Sequence, residues 1–366
     1  MKLELLKKHL EDATQIVSRV SNKNLSLPVL GCVVISATQN KTTLRATNLD
    51  VSVEIALKSK VVKEGDVAVP AHVFSQAVNA ISDEKITLES DEGILKIITG
   101  HGEVKLNTID VSDFPTLPCV KEGEGVSLTL PVKEFSRSLK GVVFAAATSG
   151  MRPELASVFL TVQDGMLITA ATDSFRLSEI KADIKVKNNI DSILLPARNI
   201  PDILRVIERT DTVEVRVGEN QVTYMSDGNF ITSRVIDGAF PEYTAIIPKD
   251  FTTTATLLTE DLQRALKKVA VVTDQAGQVA FNLDPSSKLL SVNGVNTQVG
   301  ESRESVDAAL EGEPIQVNFN IRYILDALST VVTDSLVFKF SGVGKPLIIS
   351  EVPDKGFTYL VMPMNK

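Results

Sequence analysis

The sequence predicts an α+β chain of three similar domains, each with two helices packed on antiparallel sheets. Three observations predict it. One amphipathic segment recurs six times at nearly constant spacing, the stretches between copies alternate in polarity, and a longer pattern repeats about every third of the chain.

The segment "LPVKEFSRSLKGVV" at 130–143 shows the unit. A short apolar run ends at a proline, and Phe135, Ser138, Leu139 and Val142 then fall at i, i+3, i+4 and i+7, one face of a helix. Copies are anchored at Leu10, Phe74, Phe135, Ile200, Leu262 and Ile324, with spacings of 64, 61, 65, 62 and 62 residues. Between them, "KTTLRATNLDVSVEIAL" (41–57), "DGMLITAATDSFRLSEI" (164–180) and the stretch 212–236 alternate apolar residues broken by Gly, Asn and Asp. Such segments read as antiparallel strands. The coarser repeat relates 27–50 to 152–175 and, weakly, to 275–296, and the closing stretches 112–118 and 238–248 also echo each other. Domains of 1–122, 123–250 and 251–366 follow, with polar linkers near 119–127 and 247–255.

The 366 residues, 43% hydrophobic and 23% charged, are enough for several globular domains. No apolar run is long enough to span a membrane, and "MKLELLKKHLED" is too charged for a signal peptide, so a cytoplasmic protein is expected. Cys32 and Cys119 lie far apart, as small core residues of a reducing compartment would. His9, His72 and His101 have no ligand spacing, and neither a metal nor a cofactor is expected.

The net charge is −8, yet twelve-residue windows around the six anchors hold 11 Lys or Arg against 8 Asp or Glu. Lys7, Lys8, Lys133, Arg137, Lys140, Arg198, Arg205, Arg264, Lys267, Lys268 and Arg322 are the basic members. By itself this excess fits a solvated helix face with i, i+4 pairs as well as a surface for nucleic acid.

Particular words then narrow the reading. "LPVLG" (27–31), "ATDSFRL" (171–177), "DGAFPEY" (237–243), "FNIRYILDAL" (319–328) and "YLVMPM" (359–364) run in the order found in the bacterial sliding clamps, the DNA polymerase III β subunits, and the chain resembles that family throughout. The resemblance implies a DNA-clamp fold and a head-to-tail homodimer closed into a ring. Helices line the hole, and duplex DNA passes through without sequence preference. The basic residues above other than Lys7, together with Lys23, would face the DNA, while an acidic exterior would repel it. The role implied is a non-catalytic processivity factor that tethers the replicative polymerase, the clamp loader and repair polymerases through short linear motifs.

The same resemblance places a peptide pocket at Arg152, Leu155, Thr172, Ser174, Phe175, Arg176, Leu177, Pro241, Ile246, Asn320, Tyr323, Pro346, Leu360, Val361, Met362, Pro363 and Met364. Read from periodicity alone, "YLVMPM" would simply be a last core strand. Phe175 stands where the family usually has His, Ser174 where Gly is common, and Asn365-Lys366 replace an Arg-Leu ending, so partner preference should differ. The family seam maps to Val104, Lys105 and Leu106 opposite Val271 and Val272, with Lys105 near Glu301 or Glu304. Covered edge strands of a single chain would look the same.

No catalytic constellation is visible. "SGVGKP" (341–346) lacks the P-loop spacing, and Asp173 has no base or nucleophile motif beside it. A repeat protein that binds peptides without DNA, and an enzyme with an unrecognised carboxylate site, are the competing classes.

Overall fold

The computed structural model describes residues 1–21 and 27–364. Its six helices are α1 (Lys7–Val20), α2 (Ala71–Ala80), α3 (Val132–Val143), α4 (Ile200–Ile207), α5 (Thr259–Val269) and α6 (Ile321–Leu328). Each follows a strand, directly or, for α4, through the short 3-10 turn Ala197–Asn199. All six anchors of the sequence repeat are fully buried: Leu10, Phe74, Phe135, Ile200, Leu262 and Ile324. The other inward positions are buried too, apart from Ala77, Ile81 and Val331, which are partly covered. Ile81 and Val331 lie just beyond the ends of the shorter helices α2 and α6, where the helical stripe has run out.

Every strand pairing among the described residues is antiparallel, and the strands form sheets of five, eight and twelve. The fold class is the one predicted from the sequence. The predicted 41–57 segment is a hairpin of Thr42–Thr47 and Val51–Ala56, and 212–236 holds the meander Thr212–Val217, Gln221–Ser226 and Asn229–Arg234. "SGVGKP" is the turn between strands Ser335–Phe340 and Leu347–Val352.

The chain forms two compact units. The first, Met1–Lys133 with Asn199–Val235, holds the five-stranded and eight-stranded sheets, and α1 packs on α2 and α4 there. Its eight-stranded sheet joins both sides of residue 122, because Asn229–Arg234 pairs with Val51–Ala56. The second, Glu134–Arg198 with Ile236–Lys366, holds the twelve-stranded sheet, α5, α6 and nearly all of α3. That sheet runs across residue 250 through the pairing of Arg176–Asp183 with Phe357–Val361. Backbone pairing thus continues across both positions where the sequence repeat changes domain.

Helix α3 lies very close to its sheet. A Cβ on Gly141 would stand 2.1 Å from Ile180 Cδ1, so glycine is what allows the approach. Cys32 is buried and its thiol is pushed up to about 11 by desolvation, whereas Cys119 is only partly covered. No helix among the described residues is long and apolar enough to cross a membrane.

Candidate peptide and DNA interfaces

Two of the sequence words meet in register. Arg176 faces Val361 and Leu177 faces Leu360 across neighbouring antiparallel strands. Beyond the last ladder pair, Met362 N–H donates to the Phe175 carbonyl at 2.9 Å, and Met364 N–H donates to the Asn318 carbonyl at 2.8 Å. The C-terminal segment is therefore fixed by backbone bonds to "TDSF" and to Asn318, the residue just before "FNIR".

Beneath this junction Leu177 and Leu360 share a buried cluster with Ala170, Tyr243 and Ile348. Phe159, Phe240, Ile247 and Phe251 pack on it, and Phe159 stacks on Phe240 at 5.2 Å. Leu155, Thr172 and Val361 are buried as well. Five residues read from the sequence as pocket lining are thus covered: Thr172, Leu177, Leu360 and Val361 in paired strands, and Leu155 in a turn. What remains open is mostly apolar: Phe175 is 61% exposed, Ile246 54% and Met362 39%, Pro241 and the polar Ser174 are exposed, and Pro346, Pro363 and Met364 are partly covered. Arg152 is largely exposed and pairs with Glu154 at 3.4 Å.

Arg176 organises the polar side. Its guanidinium donates to Asp173 Oδ2 at 3.0 Å, to Asp326 Oδ2 at 2.6 Å and to the Phe144 carbonyl at 2.7 Å, and lies 4.4 Å from the Tyr323 ring centroid. Asn320 caps α6, its Oδ1 accepting Arg322 N–H at 2.9 Å. Burial raises the Tyr323 phenol above its ordinary value, with the Asp173 charge adding to the shift. Asp173, considered from sequence as an acid, holds the loop instead: its Oδ1 accepts the N–H groups of Phe175 and Arg176 at 2.9 and 3.0 Å.

That loop places Ser174 at φ +79°, a left-handed conformation costly for a side chain. Ser174→Gly is expected to stabilise the protein by about 1 kcal/mol, read as a rise in the denaturation midpoint. An unchanged midpoint would mean that the loop is unstrained.

The basic residues divide into separate groups. Lys8, Lys133, Lys140, Arg198, Arg264, Lys267, Lys268 and Arg322 are exposed, although Arg264 pairs with Asp261 at 3.0 Å and Lys268 with Glu304 at 2.9 Å. Arg137 departs from the expectation of a DNA-facing side chain. It is bound by the buried Glu351 at 2.6 Å and by the Lys355 carbonyl at 2.7 Å. Lys23 lies outside the described residues.

Sequence reading missed a recess of about 460 Å³ lined by Gln15, Ser18 and Arg19 of α1, Ser75 and Asn79 of α2, and Arg205 of α4. Every lining side chain carries a polar group. Asp202 binds Arg205 at 3.3 Å, and burial raises its carboxyl while the charges of Arg205 and Arg19 act against that shift. Only Arg205 had stood out, because the other residues come from two helices whose polar faces are unremarkable one at a time.

At the expected seam the strand Glu103–Asn107 is an edge of the five-stranded sheet. Val104 is 38% exposed and Val271 76%, whereas Val272 is partly covered and Leu106 turns into its own core at 8%. Lys105 pairs with Glu103 at 2.8 Å, and Glu301 is exposed. Residues 300–307 pair with Leu289–Asn296 on one side, while the pairing with Thr253–Leu258 begins only at Ala308.

Antiparallel sheets backed by repeated helices, with an exposed apolar edge at Phe175 and Met362, are the architecture of the clamp class. The comparisons agree along the whole length. Models of the DNA polymerase III beta subunit match as N-terminal domain over residues 1–118, central domain over 129–242 and C-terminal domain over 244–365. The "Beta sliding clamp" of Synechocystis is 30% identical over 391 residues, covering 100% of this chain and 99% of that protein. The one from Staphylococcus epidermidis is 26% identical and covers 93% of each. Crystal structures of the Thermotoga maritima beta subunit and the Bacillus subtilis sliding clamp superpose with TM-scores of 0.93, at 24% and 23% identity. Both alignments cover 100% of this chain and 99% of the matched one. The chain belongs to the beta sliding clamp family, the non-catalytic processivity subunits of DNA polymerase III.

Proposed function

We propose that two copies close head to tail into a cytoplasmic ring around duplex DNA, and that the Phe175–Met362 edge tethers the replicative polymerase, the clamp loader and repair polymerases by short apolar peptides. The observation that carries the tethering is the exposed pair Phe175 and Met362, joined through a backbone bond over a buried floor. A rigid apolar edge with a few polar anchors suits a linear motif. Domains of 1–122, 123–250 and 251–366 remain our division of the chain, supported by the spacing of the buried helix anchors.

Two unpaired strand edges support the ring. Glu103–Asn107 has a free side, and so do residues 300–307, which lack a partner on one side among the described residues. Joining them would remove both edges, with Lys105 able to meet Glu301 and Val104 to meet Val271. Changing Val271 and Val272 together to Asp is expected to weaken dimerisation by roughly a hundredfold, measured by sedimentation at low concentration. A full dimer in that variant would remove this seam.

Duplex DNA would be held by many weak phosphate contacts along the helices, including the recess between α1, α2 and α4. Arg19→Glu with Arg205→Glu should lower the slope of log affinity against log salt by about two, equally for all sequences. Selective loss of one sequence would identify a sequence reader. The experiment that tests encirclement is retention. The loaded protein should stay on closed circular DNA and leave once the circle is cut. A peptide-binding repeat protein without DNA would show no such difference.

A further inference from the structure

We propose that the first unit carries a site for a small organic anion, a phosphate or carboxylate on an apolar body, where the strand Lys2–Leu6 runs into α1. This goes beyond the clamp function. A cavity of about 640 Å³ opens there, a size typical of small-ligand sites. Strand register explains its chemistry. Glu4 faces Lys60 on one neighbour and Thr87 on the other, and Thr87 faces Ile98, which makes one row across four strands. The next row sets Leu6 opposite Lys85, with Lys58 immediately before Ser59, the partner of Leu5. Because side chains alternate across a strand, both rows lie on the same face.

The balance of charge on that face is positive. Glu4 is bound to Lys60 at 3.1 Å, which leaves Lys58 and Lys85, both exposed, with no ion pair among the described residues. The acid beyond Gly100, Asp83, is engaged by His101 at 2.9 Å. His9 of α1 also lines the cavity, and its Nδ1 is buried without a hydrogen-bond partner among the described residues. Leu6 and Ile98, each partly covered, supply an apolar floor. Two lysines above such a floor select an anion whose body is apolar over a fully hydrated one, since the floor rewards only the former.

Titration calorimetry with phenyl phosphate, benzoate, inorganic phosphate and phenol on the intact protein tests this. Phenyl phosphate or benzoate should bind saturably and about tenfold more tightly than inorganic phosphate or phenol. Lys58→Gln with Lys85→Gln should weaken that binding by about tenfold. Lys63→Gln, a charge loss on the same sheet outside the cavity, should leave it unchanged. Absence of saturable binding, equal binding of inorganic phosphate, or an equal loss in Lys63→Gln would each overturn the site. Retention on circular DNA reports on the clamp function separately, so failure of either reading is visible without the other.

Discussion

Removing residues 362–366 is expected to weaken binding of a "QL-x-LF"-type peptide by roughly ten- to a hundredfold, since one buried Leu- or Phe-sized anchor is worth about 1.5–3 kcal/mol. The truncation deletes Met362, 39% exposed, together with Pro363 and Met364, and removes the two backbone bonds from Met362 and Met364. The buried floor of Leu177, Tyr243, Ile348 and Leu360 precedes the cut and stays in place. Loss of stability should therefore be about 1–2 kcal/mol, the worth of two exposed hydrogen bonds. Fluorescence titration of the peptide against both proteins, beside thermal melts, separates the two effects. Unchanged peptide affinity in the truncated chain would make this tail purely structural. Phe175→His refines the test: it exchanges an exposed apolar ring for a polar one beside Met362, so it should reorder affinities among peptides and leave none abolished.

Arg137→Ala should lower stability by about 3 kcal/mol, the largest loss expected from any exposed-looking basic residue of the helices. Glu351 is buried, and its two oxygens are shared between Arg137 Nη2 at 2.6 Å and Val332 N–H at 2.9 Å. Taking away the guanidinium leaves a buried carboxylate with one neutral donor. Arg137 itself is 27% exposed at its side chain, which keeps the expected loss at the low end of the range for buried pairs. Adding Glu351→Gln should recover part of the loss, because a neutral amide tolerates the site better than an unpaired charge. A double mutant as unstable as Arg137→Ala would refute the pairing account. Salt dependence of DNA binding should barely change in Arg137→Ala, in contrast to the Arg19 and Arg205 pair, because this guanidinium is held by a fully buried carboxylate and by the Lys355 carbonyl.

The helices were legible in the sequence because their signal is local. An i, i+3, i+4, i+7 stripe needs only its own turn, and each of the anchors Leu10, Phe74, Phe135, Ile200, Leu262 and Ile324 proved fully buried. Hairpins such as 41–57 were legible for a similar reason, since a turn residue and its flanking alternation lie close together in the chain. The proposed peptide edge came from words rather than physics: nothing in the periodicity of "YLVMPM" distinguishes a docking rim from a last core strand.

The sequence by itself therefore determined the repeat, the helix faces, the antiparallel class and the family. Only the tertiary structure decided which members of each pattern are available. Arg137 and Arg322 look alike as basic helix positions, yet Glu351, distant in the chain, binds the first, while the second stays exposed. Val104 and Leu106 stand two apart on one strand and share a face, yet the core of their own sheet covers Leu106 and leaves Val104 38% exposed. Arg19, Ser75 and Arg205 become one recess only because α1 packs on both α2 and α4. The physical reason is common to all three cases. Charge neutralisation, side-chain burial and the joining of polar groups depend on partners brought close by folding, and a local pattern carries no record of who those partners are.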